Sequence, residues 1–224
     1  RGTDGSAAIR LGEGTAIALS PDGKWVMAQP QGSPAQLVLL PTKAGEPRPL
    51  THDSISHTWA HFFPDGNRAL FSGNEPGHGV RLYVQSVTEG KPQAISPEGI
   101  NPVALAISPD SQVVAGIGPD QKGYLYPVAG GDPRPIPGFA ASEEPINWSS
   151  DGRSLFVYQP GELPARVYRL DVSTGRRELW KQLMPSDPAG VGLIDPILMT
   201  SDGKTFVYGY HRALSDLYLV EGLK

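Results

Sequence analysis

Short apolar stretches run through this chain in pairs, each pair split by a polar turn. "TAIALS" and "KWVMAQ" flank Asp22-Gly23, and "TWAHFF" and "NRALFSG" flank Asp65-Gly66. The same arrangement surrounds Asp110-Ser111, Asp151-Gly152 and Asp202-Gly203. Each stretch is short, rich in β-branched and aromatic residues, and bounded by Gly, Pro or Asp, which is the pattern of strands rather than helices. The Asp side chain can bond nearby backbone amides, and Gly accepts the positive φ of a tight hairpin. The five motifs therefore predict five hairpin turns. Ser111 in place of Gly predicts a looser turn, or one of another type, in the third.

The marker aspartates lie 43, 45, 41 and 51 residues apart. A strand-rich repeat in the forties predicts propeller blades of four strands. A third strand follows each pair: "QLVLLP", "VRLYVQSV", "GYLYPV", "RVYRLDV" and "DLYLVEG". A fourth is marked by Gly-x-Pro-x-x-Leu/Ile at Gly45, Gly90 and Gly131. Proline lacks an amide hydrogen and suits an outermost edge strand. In the fourth blade "GRRELWK" replaces it, with charge protecting the edge and the strand running into a loop.

The predicted fold is all-β, a five-bladed β-propeller of four-stranded antiparallel blades forming one domain over residues 1–224. The repeat units run over about 15–51, 57–96, 102–137, 144–181 and 195–222. Residues 6–11 would supply the missing fourth strand of the last blade and tie the termini together. The competing reading is a longer ring of six or more blades, of which this chain is an arc. A start without methionine, in mid-pattern, predicts a piece of something longer.

Composition adds exclusions. A formal charge of −4 gives no basic footprint for nucleic acid. Zero cysteine excludes disulfides, thiolate metal sites and cysteine nucleophiles and fits either side of a membrane. The apolar runs fall far short of the roughly 20 residues of a membrane helix. No Gly-x-Ser-x-Gly elbow, P-loop, dinucleotide fingerprint or His-Glu-x-x-His motif occurs, and no cofactor is expected.

Aligned by the marker Asp, the residues leading into the innermost strands are Thr15, Thr58, Val103, Glu144 and Asp195, with His57, Asn101 and Glu143 beside them. This predicts a polar, mostly acidic half-ring at one channel mouth, with His57, Asn101, Glu143, Glu144 and Asp195 as ligand-binding candidates. Glu144 and Asp195 are the candidate catalytic carboxylates, suited to binding a cation, amine or sugar or to acid/base work. The bland alternative is loop carboxylates in solvent. His57 and His61, four apart on a predicted strand, would share a face and form a candidate metal pair with Asp53 nearby; the alternative is a packed and a loop histidine. Trp25, Trp59, Trp148, Tyr83, Tyr126, Tyr168 and Tyr218 recur at blade positions and read mostly as inter-blade core.

The five turns with their following "LY" strands resemble the WD40-like (TolB-type, PD40) propeller repeats of bacteria, over essentially the whole chain. "YGYHRALSDLYLVEGLK", "GNEPGHGVRLYV" and "GYLYPVAGGDPRPIPG" resemble more specifically the C-terminal propellers of acidobacterial serine/threonine-kinase proteins. The resemblance implies a sensor or scaffold domain attached to a kinase module that this chain lacks, since no kinase signature occurs. Two expectations follow. One is a non-catalytic binding module for an unidentified protein, peptide or small ligand, extracytoplasmic if it heads a membrane-spanning sensor. The other is a glycoside or ester hydrolase using the channel carboxylates.

Overall fold

In a computed structural model, residues 7 and 9–215 are described, and they form strands and turns with no α-helix among them. Two compact units divide the chain, Arg1–Pro135 and Ile136–Lys224. No helix among the described residues is long and apolar enough to cross a membrane.

The first unit holds three antiparallel four-stranded sheets. The first comprises β1 (Thr15–Leu19), β2 (Trp25–Gln29), β3 (Val38–Pro41) and β4 (Arg48–Pro49). The second comprises β5 (Ser56–Phe62), β6 (Arg68–Asn74), β7 (Arg81–Ser86) and β8 (Gln93–Ala94). The third comprises β9 (Leu105–Ile107), β10 (Val113–Ile117), β11 (Gly123–Pro127) and β12 (Arg134–Pro135). In the second unit, β13 (Glu144–Trp148), β14 (Ser154–Tyr158), β15 (Ala165–Asp171) and β16 (Arg177–Leu183) form a fourth sheet. A hairpin of β17 (Val191–Met199) and β18 (Phe206–Arg212) is the fifth. Five sheets in sequential order match the five expected blades. The third strand expected over 216–222 lies outside the described residues, as does part of the closing segment 6–11, whose residues 7 and 9–11 belong to no strand.

Burial explains why the second strands read as continuous apolar runs: they are covered on both faces. In β6, Ala69 and Phe71 enter a core with Met27, Leu39 and Tyr83. Leu70, between them, points the opposite way into a core with Phe63, Leu82, Val114 and Tyr126. Period-two alternation thus divides one strand between two cores. In the second unit, Phe156, Tyr158, Val167, Ile194 and Ile197 share a third core. The fourth strands β4, β8 and β12 are only two residues long, and Pro49 and Pro135 stand in two of them. The fourth strand of the fourth sheet, β16, runs seven residues and carries Arg177, Glu178 and Lys181 instead.

The recurring turn has one construction. Ser20 Oγ donates to Asp22 Oδ1 at 2.7 Å and accepts from Trp25 N at 2.9 Å, while Lys24 N donates to Asp22 Oδ1 at 3.1 Å. Ser108–Asp110, Ser149–Asp151 and Thr200–Asp202 repeat the hydroxyl–carboxylate bond at 2.6, 2.6 and 2.5 Å. Together the hydroxyl and backbone donors pull the Asp22 carboxyl down to about 2. Ser111, expected to loosen the third turn, does not: its φ of 59° matches Gly23 at 70° and Gly152 at 67°. Serine tolerates the left-handed conformation here because the same amide bonds hold it. In the second turn Phe63 replaces the hydroxyl, and Arg68 bonds Asp65 at 2.9 and 3.2 Å while its guanidinium covers the Phe63 ring.

Candidate functional site

Four of the five hairpins joining first and second strands carry β-bulges, the β9–β10 pair running without a break, and the bulges decide which residues point where. Register breaks between Ala16 and Ala18, His57 and Trp59, Pro145 and Asn147, and Ile194 and Ile197. A bulge inserts one unpaired residue, so side chains beyond it switch faces. The bulge at Thr58 corrects the expectation that His57 and His61 share a face. His57 lies with Ala60 and Phe62 on the buried side, whereas His61 is exposed and stacks on Trp59 at 5.8 Å.

His57 is a core residue. Its side chain is fully enclosed, Nε2 stands 3.2 Å from Asp53 Oδ1, and the ring meets Phe71 edge-on at 4.6 Å. Burial holds the imidazole below its ordinary value, against the opposing pull of Asp53. Asn101 is taken up in a turn, its Oδ1 accepting from Val103 N at 3.0 Å and Ala104 N at 3.4 Å on the way into β9. Glu143 is 3% exposed, accepts from Ala140 N at 2.8 Å and pairs with Arg177, whose guanidinium lies over Tyr168. These three side chains hold the fold, and the expected half-ring narrows to the two remaining carboxylates.

Glu144 and Asp195 are both in the second unit and half-buried. Glu144 opens β13 opposite Tyr158, and Tyr158 Oη donates to Asp195 Oδ1 at 2.8 Å. Burial first, and the Asp195 charge second, push the Glu144 carboxyl above its ordinary value. The Tyr158 hydroxyl is pushed up by burial, then by its bond to Asp195 and the two carboxylate charges. Asp195 sits in the bulge of β17, where Gly209 lets the strands close: a Cβ there would stand 2.8 Å from the Asp195 carbonyl oxygen. No ion pair engages Glu144 or Asp195 among the described residues. Two like charges that act on each other in this way favour uptake of a proton or a cation, and Tyr158 fixes one of them.

Tyr158 was not among the residues singled out in the sequence. Its position, seven after the marker Asp151, is held in the first blade by Gln29, seven after Asp22. Gln29 also reaches the next sheet, donating to the His57 carbonyl oxygen at 2.6 Å. Alignment on the marker brings Tyr158 and Gln29 to one repeat position, but nothing in the residue types marks that position as one that reaches a neighbouring sheet.

No protein-family model matches the chain, and no curated protein sequence does. Among solved structures, the chain is similar to TolB from Acinetobacter baumannii, at 15% identity and a TM-score of 0.61 over 88% of this chain and 54% of that one. It is similar to a TolB-type protein from Agrobacterium tumefaciens, at 18% identity and a TM-score of 0.62 over 87% and 79%. A third likeness is to oligogalacturonate lyase from Vibrio parahaemolyticus, at 14% identity and a TM-score of 0.65 over 88% and 60%. The chain spans about half the length of the Acinetobacter protein. At these identities the likeness is one of fold, and the fold is a TolB-like β-propeller.

Proposed function

We propose that this chain is a non-catalytic propeller binding domain that receives a basic group of a protein or peptide partner between Glu144 and Asp195. The observation that supports it is the shared field of the pair: the Asp195 charge helps raise the Glu144 carboxyl, and among the described residues no ion pair engages either. Two like charges in one half-buried place are relieved by a proton or by a bound cation. A lysine or arginine side chain supplies that cation with donors for both carboxylates. The sequence resemblance of "YGYHRALSDLYLVEGLK" and its companion stretches to kinase-associated propellers points to a sensor or scaffold role, with any kinase activity residing in another module.

The test is an array of short peptides probed with the 224-residue chain. Lysine- and arginine-containing peptides are expected to be retained, and acetylating the lysine should weaken binding about tenfold or more. Glu144→Gln and Asp195→Asn should each reduce retention. Basic peptides bound no better than neutral ones, or bound equally by both variants, would sink the reading.

One observation favours a second reading, a glycoside or ester hydrolase. Glu144, with its raised carboxyl, is suited to donate a proton, while Asp195 is held by Tyr158 as a base or stabilising anion. Turnover of chromogenic glycosides or esters, abolished in Glu144→Gln, would favour it over the binding domain.

A further inference from the structure

On the turn side of the first two sheets lies a cleft of about 520 Å³, within the range of small-ligand sites. Leu39, Phe62 and Val87 give it an apolar lining, and Trp25 and Arg48 form one wall. The Arg48 guanidinium stacks on the Trp25 ring with 4.3 Å to the centroid. Its Nε is buried without a hydrogen-bond partner. No ion pair or side-chain hydrogen bond engages Arg48 among the described residues, so its terminal nitrogens are left for the cleft.

The other charges of the cleft are already matched. Asp22 lies 3.2 Å from Lys24 Nζ and accepts bonds within its turn. Asp65 takes two donors from Arg68. Arg48 is therefore the one lining cation without a counter-ion among the described residues. Nor does the repeat explain the stack. Residues equivalent to Trp25, three after each marker Asp, are Arg68, Val113, Ser154 and Thr205, none aromatic. Arg134 occupies the Arg48 position in the third blade and is exposed.

We infer that this cleft is a binding site for a small monocarboxylate with an apolar body. The planar guanidinium matches a carboxylate through two parallel hydrogen bonds, and the stack on Trp25 holds it in place before the ligand arrives. The hydrocarbon part lies on Leu39, Phe62 and Val87. A dianion would meet Asp22 and Asp65, which disfavours phosphate. The site lies in the first unit and does not depend on the Glu144–Asp195 pair.

Calorimetric titration of the intact chain with hexanoate, and with hexanamide as the uncharged counterpart, tests this. Hexanoate should saturate the protein and bind about tenfold or more tightly than the amide. Arg48→Met should abolish the difference, and Arg134→Met should leave it unchanged. If Arg48→Met does not fold, judged by circular dichroism, Arg48→Lys serves: it keeps the charge but loses the fork, and should weaken hexanoate by about tenfold. Equal binding of acid and amide, full binding by the folded Arg48 variant, or no saturation by about 20 mM would overturn the inference.

Discussion

A histidine with no exposed side-chain surface is a titratable group sealed into apolar packing. His57 touches Asp53 through Nε2 and Phe71 through its ring edge, while Nδ1 has no partner. Burial favours the neutral imidazole, so between its lowered value and the ordinary 6.5 the unfolded chain binds a proton that the folded chain does not. The stabilisation is fully present above 6.5 and is lost as pH falls through the lowered value. The melting temperature should therefore drop as the pH falls below 6.5. His57→Gln keeps a donor for Asp53 and should flatten that slope. Parallel pH profiles of the two proteins would contradict it. Sequence could mark His57 as unusual but not as buried. That depends on Thr58 taking the bulge position, which strict alternation along "SISHTWAHFF" does not reveal.

Hairpin closure at the bulges depends on close backbone approach. Gly73 pairs with His57 across β5–β6, and a Cβ there would stand 2.6 Å from Ile55 Cγ2 and 2.8 Å from the Ser56 carbonyl oxygen. Gly73→Ala forces backbone apart and should lower unfolding free energy by about 1–3 kcal/mol in denaturant titrations. Gly192→Ala in β17 meets nothing within 4 Å and should change it by no more than about 0.5 kcal/mol. Equal effects would refute the close-approach argument. Strands and turns were legible because apolar runs and Asp-Gly pairs act locally, and four of the five turns close with the same hydroxyl–carboxylate bond. Bulges were not legible, because one extra residue leaves composition and spacing almost unchanged. The roles of Asn101 and Glu143 were hidden similarly: an Asx-type turn and the Arg177 partner become visible only when the loops have a shape.

Across the whole chain, the formal charge of −4 favours cationic ligands at long range, whereas Arg48 works against that field at short range. Raising ionic strength from about 0.05 to 0.5 M should weaken basic-peptide binding several-fold, since much of the attraction is screened. Binding indifferent to salt would place the recognition in apolar contacts instead. The repeat disclosed the blade plan because every unit solves the same packing problem; the Arg48–Trp25 wall escaped it because only one unit carries that pair. The bulges have a further meaning for how such a chain can diversify. In β1 and β13 they fall at Ile17 and Ile146, three residues before the turn's first member, in β5 at Thr58, five before it, and in β17 between Ile194 and Ile197. Moving the extra residue along a strand acts like a shift of reading frame confined to a few positions. It exchanges which side chains are shown and which are hidden, while both ends of the hairpin keep their places. A gene for this architecture can therefore exchange buried and exposed side chains over a few positions through one insertion paired with one deletion, leaving the ends of the hairpin in place.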